Sequence, residues 1–63
     1  MEKLLYRPKE AALALGIGRA TLYDLINAGK LRSVKDGSMR FITADALRDY
    51  VRELEGRAAQ EVA

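Results

Sequence analysis

The sequence predicts an α+β domain, mainly α, built from two short helices, a β-hairpin and a C-terminal helix. Three features carry that expectation. Apolar residues recur at helical spacing in three separate stretches. Glycine closes each of the first two stretches, as a left-handed helix terminus requires. An Asp-Gly pair divides two short apolar runs, which is a strong hairpin signal. With 63 residues there is room for one domain, near the lower limit for a core that holds unaided.

Lys3-Leu4-Leu5-Tyr6 is too brief for a helix and reads as an extended segment packed on the core, open to pairing with a later strand. Pro8 suits the first position of a helix, where its missing N–H costs nothing, and Pro8 to Leu15 is the first helix with Ala11, Ala12 and Leu15 inward. Arg7 lacks the short side-chain oxygen of a good N-cap, so a frayed start is expected there. Gly16 ends this helix, Ile17 plugs the turn, and Gly18 opens the next. In Arg19 to Ala28, Leu22, Leu25 and Ile26 form the buried stripe, and Gly29 is the stop. Leu31 to Val34 and Met39 to Ile42 are the strand candidates, joined through Asp-Gly in a type I′ turn, with Phe41 expected in the core and Arg40 outward. Thr43 caps the third helix, Ala44 to about Glu55, whose inward stripe is Ala44, Leu47, Val51 and Leu54 with Tyr50 beside them. Gly56 is the expected stop. The order helix, tight turn, helix, hairpin, helix is a winged helix-turn-helix, expected over residues 1–56, with 57–63 as a flexible tail.

Composition narrows the function. Cys and His are both absent, which removes disulfides, zinc fingers and catalysis by either side chain. Ten of the thirty-one apolar residues are alanine, so buried area is scarce. A ligand pocket of ~300 Å³ would consume much of such a core, so neither enzymatic activity nor a cofactor or metal is expected. No window reaches the ~18 apolar residues of a membrane span, and the start lacks a signal-peptide pattern, so a cytoplasmic setting is expected. Charge is divided unevenly. Residues 1–42 carry eight Lys/Arg against four Asp/Glu, whereas residues 43–63 carry three against five. A basic front and an acidic back suit a module that turns one side to a polyanion, although scattered surface bases alone would not establish it.

The ordered set Glu10-Ala11-Ala12, Leu15-Gly16-Ile17, Arg19-Ala20-Thr21-Leu22-Tyr23, Ala28-Gly29-Lys30-Leu31, Gly37 with Arg40-Phe41-Ile42, Asp45-Ala46-Leu47 and Tyr50-Val51 resembles the excisionase-type, or MerR-like, winged helix-turn-helix family. That family includes recombination directionality factors and AlpA-like regulators. The resemblance spans about residues 4–54 and departs at Arg7 and Gly18, where Ser or Thr is usual, and at Ser38-Met39, where more Arg is usual. It implies sequence-specific binding of double-stranded DNA, with the second helix in the major groove and the wing on the backbone or adjacent minor groove. For the excisionase branch it also implies self-association on adjacent sites, DNA bending and an integrase partner.

Helical geometry leaves Arg19, Ala20, Tyr23, Asp24 and Asn27 on the face opposite the buried stripe. Arg19 suits a guanine edge and Ala20 a thymine methyl; Asn27 reaches adenine only if the helix lies along the groove. Thr21 is a phosphate candidate and Tyr23 a phosphate or base candidate, with intrahelical capping and packing on the wing as their respective alternatives. Arg32, Lys35 and Arg40 are the expected backbone clamps, and Lys9 and Lys30 are secondary candidates. Two other readings compete: a small AlpA/MerR-like transcriptional regulator, and a protein-interaction adaptor without DNA specificity.

Overall fold

A computed structural model describes residues 3–62. In chain order it contains β1 (Leu5–Tyr6), α1 (Pro8–Leu15), α2 (Arg19–Asn27), β2 (Val34–Asp36), β3 (Met39–Thr43) and α3 (Ala44–Val62). The strands form one antiparallel sheet in the order β1-β3-β2, so the N-terminal extended segment does pair with a later strand. Ala11 and Ala12 of α1, Leu22 of α2, Leu31, Ile42 of β3, and Ala46 and Leu47 of α3 form the core. The winged helix-turn-helix expected from the sequence is the observed fold.

The two glycine stops behave alike. Past α1, Ile17 N–H donates to Ala12 C=O (3.0 Å) and Gly16 N–H to Leu13 C=O (3.2 Å). Past α2, Lys30 N–H donates to Leu25 C=O (2.9 Å) and Gly29 N–H to Ile26 C=O (3.1 Å). Both are Schellman motifs, which need a left-handed residue, and Gly16 (φ 74°) and Gly29 (φ 76°) supply it. The start of α1, expected to fray, is tied down by another residue. Glu10 accepts the Arg7 main-chain N–H at 2.9 Å and also pairs with Lys3. Those two contacts, Lys3 foremost, hold the Glu10 carboxyl below its usual pKa.

The hairpin corrects several expectations. Leu31 is not a strand residue: the motif at Gly29 turns the chain inward, Leu31 plugs the core, and β2 begins only at Val34. Asp36 pairs with Met39, which leaves Gly37-Ser38 as the loop. Positive φ occurs at Gly37 (64°) and not at Ser38, the Gly-X pattern of a type II′ turn rather than type I′. The inward residue of β3 is Ile42, fully buried, and not Phe41. By alternation Arg40 therefore shares the core-facing side with Ile42 and is half-buried, while Phe41 lies half-buried on the other face.

Thr43 caps α3 as expected, its Oγ1 accepting the Ala46 N–H at 3.0 Å. Ala44 and Leu47 are buried and Tyr50 packs against the core, but Val51 (40%) and Leu54 (38%) stay exposed. The expected stop at Gly56 is not made. A lone glycine costs a helix only about 1 kcal/mol relative to alanine, and Arg57-Ala58-Ala59 are good helix formers. Residues 57–62, expected as a flexible tail, are helix; Ala63 lies outside the described residues.

Candidate nucleic-acid interface

Between the start of α1, the outer flank of α2 and the β2–β3 wing lies an open cleft of about 670 Å³. Five of its nine lining residues are basic (Arg7, Lys9, Arg19, Lys35 and Arg40) and none is acidic. Tyr23, Pro8, Ser38 and Met39 complete it. Pro8 starts α1 here, Arg19 starts α2 one residue after Gly18, and the tight Gly37-Ser38 loop brings Lys35 and Arg40 level across the hairpin.

The distribution of ion pairs sets this cleft apart. Among the described residues, pairs join Lys3 to Glu10, Arg32 to Asp49, Arg52 to Asp49, and Arg48 to Asp45 (3.5 Å). Every base used is outside the cleft, so among the described residues no cleft base is ion-paired. Lys35 and Arg40 also stand directly opposite each other on neighbouring strands. Like charges so placed destabilise a sheet, by up to about 1 kcal/mol. Arg40 finds one neutral partner, donating to Ser33 Oγ at 3.2 Å, and the Arg7 guanidinium lies 5.7 Å from the Phe41 ring centre. The site has the electrostatics of an anion receptor.

Of the residues singled out from the sequence, the structure brings Arg19, Tyr23, Lys35 and Arg40 together in this cleft. Arg19 and Tyr23 are one turn apart on the wing-side flank of α2, and Tyr23 remains 37% exposed. Ala20 and Asn27 are exposed with Asp24 along the outward crest of the same helix, and Thr21 is exposed on its other flank. Arg32 does not join the cleft: it pairs with Asp49 and ties the α2–β2 connection to α3. Lys30 is exposed outside it, whereas Lys9 lines it. Sequence reasoning missed Arg7, Pro8, Ser38 and Met39 as lining residues. The signal for Arg7 is the β1–β3 register, in which Tyr6 faces Ile42, so the next position brings Arg7 beside Phe41.

A second, apolar groove of about 400 Å³ runs between the end of α1 and α3, lined by Ala14, Leu15, Leu47 and Val51 with Arg48, Arg52 and Glu55 at its rim. It shares no residue with the basic cleft. Among the described residues no three acidic, His or Cys side chains are placed to hold a metal ion, and no helix is long and apolar enough to cross a membrane.

Comparison with known proteins agrees with this fold. Residues 5–55 match the helix-turn-helix domain family. Over 52 residues the chain is 38% identical to a probable excisionase of Saccharopolyspora erythraea, covering 82% of this chain and 53% of that protein. Over 49 residues it is 37% identical to an excisionase of Streptomyces ambofaciens, covering 78% of this chain and 79% of that one. The chain thus spans about half the length of the first relative and about four fifths of the second. No solved structure gives a significant match.

Proposed function

The chain belongs to the helix-turn-helix domain family, and on that premise we propose that it is a DNA-binding excisionase acting in the cytoplasm without catalysis. The observation that carries this reading is the basic cleft, whose charges lack acidic partners among the described residues and which adjoins the exposed flank of α2. The start of α2 enters the major groove, where Arg19 bonds a guanine edge bidentately and Ala20 meets a thymine methyl. Tyr23 and Thr21 take phosphates on the two flanks, and Asn27 reaches an adenine further along. Lys35 and Arg40 clamp the backbone from the wing, and Arg32 is a peripheral contact already engaged with Asp49.

One such module covers ~600–1,000 Å² of DNA interface, which is modest for a specific complex. Cooperative binding of several copies on adjacent sites, with bending of the attachment-site DNA, supplies the missing affinity. An integrase is the protein partner, and the apolar groove between α1 and α3 is a surface free to meet protein while the cleft holds DNA.

Footprinting on attachment-site DNA, paired with an excision assay using the integrase, tests this. Repeated protected sites and protein-dependent excision are expected. Arg19→Ala should relax preference at one base pair, at ~1–3 kcal/mol, whereas Arg40→Ala should weaken all sequences alike. Protection of a promoter with no effect on excision would mean a transcriptional regulator instead. Absence of protection at low salt would refute DNA recognition itself.

A further inference from the structure

We propose that Arg7 is a DNA-phosphate contact of this chain, held over the cleft by the ring of Phe41. The inference rests on the DNA-binding reading above and adds to it a residue and the device that positions it. Arg7 occupies the N-cap position of α1, yet its side chain makes no cap bond there. The backbone task is discharged by Glu10, which accepts the Arg7 N–H. The guanidinium is therefore left for other work, and no ion pair among the described residues uses it. It lines the cleft with Lys9, Arg19 and Arg40.

Phe41 explains how it stays there. The ring is not part of the core, since Ile42 takes the inward position on β3. Instead the guanidinium lies 5.7 Å from the ring centre. A guanidinium attracted to an aromatic ring keeps in-plane N–H donors available, and two of them match a phosphate bidentately. Pre-positioning lowers the entropy lost when the long side chain engages its ligand. A purely structural contact would tie β1 to β3 and be indifferent to DNA.

The test measures binding of the full chain to a short mixed-sequence duplex between about 50 and 200 mM salt, where each lost phosphate contact flattens the log–log slope by ~0.9. Arg7→Ala is expected to weaken binding roughly tenfold at low salt and to flatten the slope by about that one contact. Arg7→Lys should recover the slope but not all of the affinity. Phe41→Tyr should bind as the wild type, whereas Phe41→Leu should lose roughly two- to fivefold and lose nothing further once Arg7 is Ala. Arg7→Gln serves if Arg7→Ala fails to fold by circular dichroism. Wild-type affinity and slope in Arg7→Ala, or in Arg7→Gln where that variant replaces it, with Arg40→Ala still weakened, would overturn this proposal while leaving the DNA reading intact. Equal losses from Phe41→Leu in both backgrounds would likewise reject the positioning role. A wild-type chain that binds no duplex would overturn the DNA reading, and this proposal with it.

Discussion

Lys35 and Arg40 face each other across the wing without an acid between them, an arrangement selected against by the stability of the free protein. Replacing Lys35 by Gln should therefore raise the unfolding free energy, by a few tenths up to about 1 kcal/mol in urea melts, while weakening duplex binding. A loss of both would show that Lys35 supports the fold rather than the ligand. Glu10 works in the opposite sense. Lys3 and the Arg7 N–H stabilise its ionised form, so its pKa is lower in the folded chain than in the unfolded one. Its contribution is thus complete above the ordinary carboxylate range and disappears as pH falls through the lowered folded value. Glu10→Gln should flatten the acid limb of the stability profile, and an NMR titration should find the Glu10 carboxyl below the ordinary glutamate value. Much of this was legible early. Arg19, Tyr23, Lys35 and Arg40 follow from helix geometry and wing charge. Arg7 does not, because its place depends on a two-residue strand pairing that composition cannot reveal.

At the scale of elements, the first two helix ends and the inward faces of the helices are readable, whereas the burial of the strands is not. Gly16 and Gly29 announce their helix ends because the left-handed conformation they adopt is a backbone requirement, independent of what packs nearby. Strand alternation, by contrast, says that Arg40 and Phe41 point opposite ways without saying which is inside. The answer comes from tertiary packing on Ile42, and β2, exposed throughout, offers no second clue. The stripe of α3 has the same lesson: Val51 and Leu54 continue the helical period yet stay exposed, Val51 on the open groove beside α1. Gly56 was misleading for a related reason, since glycine stops a helix only when it takes a left-handed φ, and Gly56 does not. Gly56→Ala should accordingly stabilise the chain, by up to about 1 kcal/mol, and raise its helical circular dichroism. No gain in either would indicate that the helix ends at that residue in solution.

The whole molecule separates two surfaces that share no residue. One is a basic cleft bounded by α1, α2 and the wing; the other is the apolar groove of α1 and α3, flanked by bases already engaged with acids. A small core, built largely from alanines and three fully buried Leu or Ile side chains, supports both surfaces. Under the function proposed above, that separation would let one copy hold DNA and meet a protein at once. Amide chemical-shift mapping with an attachment-site duplex tests this division. The largest shifts should fall at residues 7–9, 19–27 and 35–40, with α3 beyond Tyr50 little changed. Shifts concentrated on α3 and its groove, with Arg19, Tyr23 and Arg40 silent, would contradict the assignment of the cleft to DNA.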